Sequence, residues 1–298
     1  MIISLLTHPP IQILAMPELK GIDKKLDIAL TMEDDTVRIV SGNKIYSIVV
    51  GPNIATDIRA INQATVKSNF VALGKTVGWV QNSNGDLLEF DARTGDTLQF
   101  IHGLEGNITR ACICESTNSL FASLSSGATF SLRDSDVRYT MVGKPIHVSS
   151  LAVSEDGKYG LISNTNLDID VVNLHGMQLV SQSRSPERTL ASNYNSNTRR
   201  FESINESGME EIDPSTLKSL TLKRSLGKDV DSLFPLGPGN YVFTTLNPSS
   251  ECQTLKTWSK GKVKTLGMAL AGAFAINEDK TRVAFLDDQN RLVISPIQ

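Results

Sequence analysis

Cys112 and Cys114 stand two residues apart in the run ITRACICES, a spacing that sets both thiols on one face of a strand. A zinc ion would need two further nitrogen or sulfur ligands at short spacing. No Cys or His follows within reach, and Cys252 is remote. The pair therefore reads as small buried side chains on an inner strand. Glu33-Asp34-Asp35 and Asp287-Asp288 have the chemistry of calcium ligands or of a general acid and base. Both fall where turns are expected, and acids there bond to nearby backbone amides. His147, heading the run HVSSLAV, reads as a residue tying adjacent loops rather than as a general base. The chain has no G-x-S-x-G elbow, no phosphate-cradling loop and no G-x-G-x-x-G. No catalytic, metal-binding or cofactor-binding residue is assigned, no cofactor is expected, and the protein is read as a non-enzyme.

Charge is distributed unevenly. Between Lys218 and Lys264 lie eight basic residues, against the acids Asp229, Asp231 and Glu251. Lys256, Lys260, Lys262, Lys264, Lys223 and Arg224 are the candidate partner-binding residues, suited to acidic segments of other proteins. Alternation in Lys260-Gly-Lys262-Val-Lys264 would point three lysines to one side of a strand. A nucleic-acid partner is the alternative, and a solvated edge guarded by lysine is the plainer one.

The whole chain of 298 residues carries a net charge of −3, too little to mark it as a nucleic-acid binder overall. Three cysteines make no disulfide framework and fit a reducing compartment, cytoplasmic or nuclear. The opening run MIISLLTH is too short to span a bilayer and lacks the flanks of a secretory signal, so no membrane association is expected.

The elements that must position these residues are short strands in a repeat. In WVQNSNGDLLEFDARTGDTLQF, 79–100, a strand meets Asn84-Gly85, a second ends at Phe90-Asp91, and a third follows from Thr97 to Ile101. Asn-Gly supplies the positive φ angles of a tight hairpin. With the strand and turn of 69–80 this makes four strands in about 40 residues. The same grammar recurs at 123–142, 163–181, 204–222 and 286–295. Val49, Asp91, Arg133, Asn173, Asp213, Ser259 and Ser295 mark the closing residue of the third strand in each unit, a period of about 41 residues. LAVSEDGKYGLIS at 151–163 aligns with FAINEDKTRVAFL at 274–286, three periods on.

The expected fold is all-β: a seven-bladed β-propeller of four-stranded antiparallel blades, one domain over 1–298. The last unit is a strand short. The N-terminal strand, about 1–8, is expected to complete the blade formed by about 268–298 and so close the ring.

The segment SNGDLLEFDARTGDTLQF, 83–100, resembles the WD40 family, with Phe90-Asp91 where that family carries Trp-Asp. The turn Ser-Glu-Asp-Gly at 154–157 is a weaker echo. The four histidines are too few for the family's His–Ser–Asp–Trp tetrad to recur in seven blades, so apolar packing between blades must supply the stability. The resemblance implies partner binding on the ring faces. The expected function is a protein-interaction scaffold, as a module of a larger protein or multisubunit complex. A metal-dependent propeller hydrolase or lyase and a nucleic-acid-associated propeller are the alternatives.

Overall fold

The computed structural model describes residues 11–24, 27–64, 68–133, 136–140, 147–216, 219–222, 226 and 229–297. The chain opens with β1 (Gln12–Leu14) and a short 3-10 turn at Pro17–Gly21. Blade one is β2 (Ile28–Glu33), β3 (Thr36–Ser41), β4 (Lys44–Val49) and β5 (Ala55–Ala60). Blade two is β6 (Ser68–Leu73), β7 (Val77–Asn82), β8 (Leu87–Asp91) and β9 (Thr97–Ile101). Blade three is β10 (Ile108–Cys114), β11 (Ser119–Leu124), β12 (Thr129–Arg133) and β13 (Asp136–Thr140). Blade four is β14 (Val148–Val153), β15 (Tyr159–Asn164), β16 (Asp168–Asn173) and β17 (Gln178–Arg184). Blade five is β18 (Ala191–Asn195), β19 (Arg200–Ile204), β20 (Met209–Ile212) and β21 (Ser219–Leu222). Blade six is β22 (Val230–Gly237), β23 (Asn240–Thr245), β24 (Cys252–Ser259) and β25 (Lys262–Leu270). Blade seven holds β26 (Phe274–Ile276), β27 (Arg282–Leu286) and β28 (Leu292–Pro296), with β1 as its fourth strand.

Six blades are meanders in chain order, and the seventh runs β1-β28-β27-β26. Gln12, Ile13 and Leu14 pair antiparallel with Ile294, Val293 and Leu292. The N-terminal segment thus supplies the outer strand of the last blade, at 12–14. The expected run 1–8 lies outside the described residues. The third strands of the seven blades end at Val49, Asp91, Arg133, Asn173, Ile212, Ser259 and Pro296, within one residue of the expected markers. The widest interval falls in blade six, whose β22, β24 and β25 run to 8, 8 and 9 residues. The narrowest falls in blade seven, where β26 has only 3.

The core lies between blades, one apolar cluster to each seam. Val40, Ile45, Val80 and Phe90 fill the seam of blades one and two, and Trp79, Leu120, Phe130 and Leu132 that of two and three. Phe121 meets Ile162 and Val172, and Leu161 meets Phe201. Ile204 and Met209 meet Tyr241 and Phe243, and Val242 meets Phe285. Met32 and Ile39 pack on Leu286 and Ile294, with Leu19 of the 3-10 turn sealed among them. A middle strand covered on both faces is buried throughout, as in SLFASL of β11. Outer strands such as QLVSQSR of β17 stay exposed.

Candidate interaction surfaces

Inner strands end on one face of the ring, and the loops that follow them frame the mouth of a cavity of about 710 Å³. Glu33, Lys75, Glu115, Glu155, Glu278 and Lys280 line it together with Tyr194 and Phe234. The loops are held by their own side chains. Ser154 Oγ donates to Asp156 Oδ1 (2.6 Å) and accepts the Tyr159 N–H (2.9 Å). Asn277 Oδ1 accepts the N–H groups of Thr281 and Arg282, so the two segments aligned by sequence build equivalent turns.

Most of the charges at the mouth are already engaged. Lys75 Nζ pairs with Glu278 Oε1 at 3.1 Å, and the Lys75 backbone N–H donates to Glu115 Oε2 at 3.0 Å. Lys280 lies 5.9 Å from the centre of the Phe234 ring. Burial pushes the Glu115 carboxyl above its usual range, against the pull of Lys75. Cys112 and Cys114, on the inner strand β10 as expected, direct their thiols at the next blade. Cys112 Sγ donates to the Leu151 carbonyl at 3.1 Å and Cys114 Sγ to the Glu155 carbonyl at 3.3 Å. Burial drives the Cys112 thiol up to about 12, which keeps it protonated and unreactive. Among the described residues no three His, Cys, Asp or Glu side chains converge on a metal position.

His147 is exposed ahead of β14. Among the described residues its backbone carbonyl makes the loop tie, accepting the Thr165 N–H at 2.9 Å. Asp34-Asp35 and Asp287-Asp288 are turn residues. Asp287 Oδ1 accepts the N–H groups of Gln289 and Arg291.

The lysines divide by register. Lys262 pairs with Ser259 and Lys264 with Thr257, on one face of the blade, while Lys256 pairs with Thr265 and lies on the other. Lys260 and Gly261 both have positive φ (51° and 79°), the signature of a type I′ hairpin turn. Lys260 therefore sits at the tip, and the expected single row of three lysines reduces to Lys262 and Lys264. Lys223 and Arg224 lie outside the described residues. In the Phe90-Asp91 motif, Phe90 is sealed in its seam while Asp91 Oδ1 accepts the N–H groups of Arg93 and Thr94, each at 2.8 Å.

Seven four-stranded antiparallel blades in a ring, sealed by seven apolar seams, define a seven-bladed β-propeller. It is similar in structure to a chain of a mitotic checkpoint complex, with a TM-score of 0.66 and 13% identity over 98% of this chain and 96% of that one. It is also similar to the Cps50 (Swd1) β-propeller domain of Myceliophteria thermophila, with a TM-score of 0.64 and 9% identity over 91% of this chain and 96% of that one. At these identities the likeness is one of fold. No protein-family model and no curated protein matches the sequence.

Proposed function

We propose that this chain is a non-catalytic interaction scaffold, a propeller subunit or module of a larger protein assembly. In this reading the outer edge of blade six engages acidic segments of partner proteins. One observation carries it: Lys260, Lys262 and Lys264, at the outer hairpin and strand of blade six, form no ion pair among the described residues, whereas Lys75 at the cavity mouth is paired. An isolated basic edge on a chain of net charge −3 suits a protein partner better than a long polyanion. The solved propellers it resembles include one from a protein complex, which supports the same reading. The free thiols of Cys112, Cys114 and Cys252 suit a cytoplasmic or nuclear setting.

The test is capture of partners by the tagged chain and by its Lys262→Glu/Lys264→Glu variant. Both side chains are exposed, so thermal stability should not change. Partner recovery should fall at least about tenfold, as expected for reversing charges at a charge-complementary edge. Equal recovery by both proteins would remove blade six from the account. Recovery of nucleic acid, lost steeply with added salt, would transfer the edge to that partner class.

A further inference from the structure

The third residue of the second strand in each blade points into the seam with the next blade. Five of these residues are apolar: Trp79, Phe121, Leu161, Val242 and Ala284. Blade five places Glu202 there, and blade one places Arg38. Glu202 is met by donors, Asn195 Nδ2 at 2.8 Å and the Tyr241 hydroxyl at 3.3 Å. Arg38 is treated differently. It is 8% exposed, and one guanidinium nitrogen, Nη1, donates to Glu33 Oε2 at 2.9 Å. A guanidinium carries five N–H donors. The rest of Arg38 meets no acceptor among the described residues and lines a slot of about 300 Å³ in the seam of blades one and two.

Two more arginines line the same slot, Arg59 from β5 and Arg93 from the turn after β8, with Ser47 on the same face of blade one as Arg38 and Arg59. Asp57 binds Arg59 at 2.6 Å, and the single carboxylate of Glu33 is shared by Arg38 and by Arg93 (2.8 Å). Two carboxylates against three guanidiniums leave one positive charge. Burial would raise Glu33, but Arg38 and Arg93 hold it below its usual range, so it stays ionised and keeps both arginines aimed. Five other blades pack apolar residues at this position, so the seam does not need a cation there, and the remaining Arg38 donors open on the slot. An oxyanion would satisfy those donors by charge-assisted, forked bonds.

We propose that the slot between blades one and two is a binding pocket for a single oxyanion, a phosphate or carboxylate group presented by a partner. The site is separate from the blade-six edge, and a free anion tests it without any partner. Inorganic phosphate and acetate, each titrated into the full chain at constant ionic strength, are the probes. Phosphate binding is read by the width of its phosphorus NMR line, and acetate binding by chemical-shift changes in the protein. Saturable binding of either anion, weakened at least about tenfold by Arg93→Gln, is the expected result. Phosphate binding without acetate binding assigns the pocket to phosphate groups, and the reverse assigns it to carboxylates. Arg38→Met should abolish binding while restoring the packing of the other blades. Arg93 is exposed, so its variant reports even if the Arg38 variant does not fold. No saturable binding of either anion, or binding unchanged in Arg93→Gln, would overturn the pocket.

Discussion

Asp213 shows how single residues hold the repeat in register. Its Oδ1 accepts the Ser215 and Thr216 N–H groups, at 2.8 and 3.1 Å, and the Ser215 hydroxyl. These bonds pull its carboxyl down to about 2. Asp91 and Asn173 cap the turns after their own third strands in the same way, which is why that position was legible as a marker in the sequence. A carboxyl lowered by folding contributes stability above its unfolded value near 3.8 and loses it as pH falls through about 2. Asp213→Ala should therefore be less stable than wild type at pH 6, and the two should converge between about pH 4 and 2 in urea melts. A gap that persists unchanged at pH 2 would mean that the carboxylate charge is not what holds the turn. Gly78 makes a second residue-scale case. A Cβ there would lie 2.3 Å from Cζ of Phe90, its cross-strand partner. Gly78→Val should cost about 1–3 kcal/mol or more by overpacking, read as a lower urea midpoint.

At the scale of the element, ring closure depends on a short strand and the turn behind it. β1 contributes only three residue pairs, and the 3-10 turn that follows buries Leu19 completely. Asn290 Nδ2, in the β27–β28 hairpin, donates to the Ile22 carbonyl at 3.0 Å and ties that linker down. Leu19→Ala should cost about 2–5 kcal/mol, as much as a core leucine within a blade. A loss below about 1 kcal/mol would show that the turn is not part of the seal. The sequence disclosed the need for a borrowed strand, because the last unit is one strand short. It did not disclose the register, since a short β-prone run looks the same wherever it pairs. The expected row of three lysines in blade six shortens to two for a related reason. Alternation along a strand is visible in sequence, but the positive φ of Lys260 and Gly261, which takes Lys260 off the strand, is not.

For the molecule as a whole, spacing carried the reading. A period of about 41 residues and recurring hairpin turns were enough to count the blades, because each blade buries both faces against its neighbours and keeps nearly the same length. What spacing could not show is which seam position holds a charge. Arg38 lies in TVRIVS, a run whose apolar neighbours give no hint that its guanidinium opens on a slot shared with Arg59 and Arg93. The same limit applies to partners, which are chosen by loops and edges that the repeat leaves free to vary. The interaction-scaffold account is tested most directly by affinity purification of the tagged chain from its native source, followed by native mass spectrometry. The account predicts protein partners at fixed stoichiometry that survive moderate salt. A solitary chain carrying one tightly held divalent ion would contradict it and point to chemistry in the central channel.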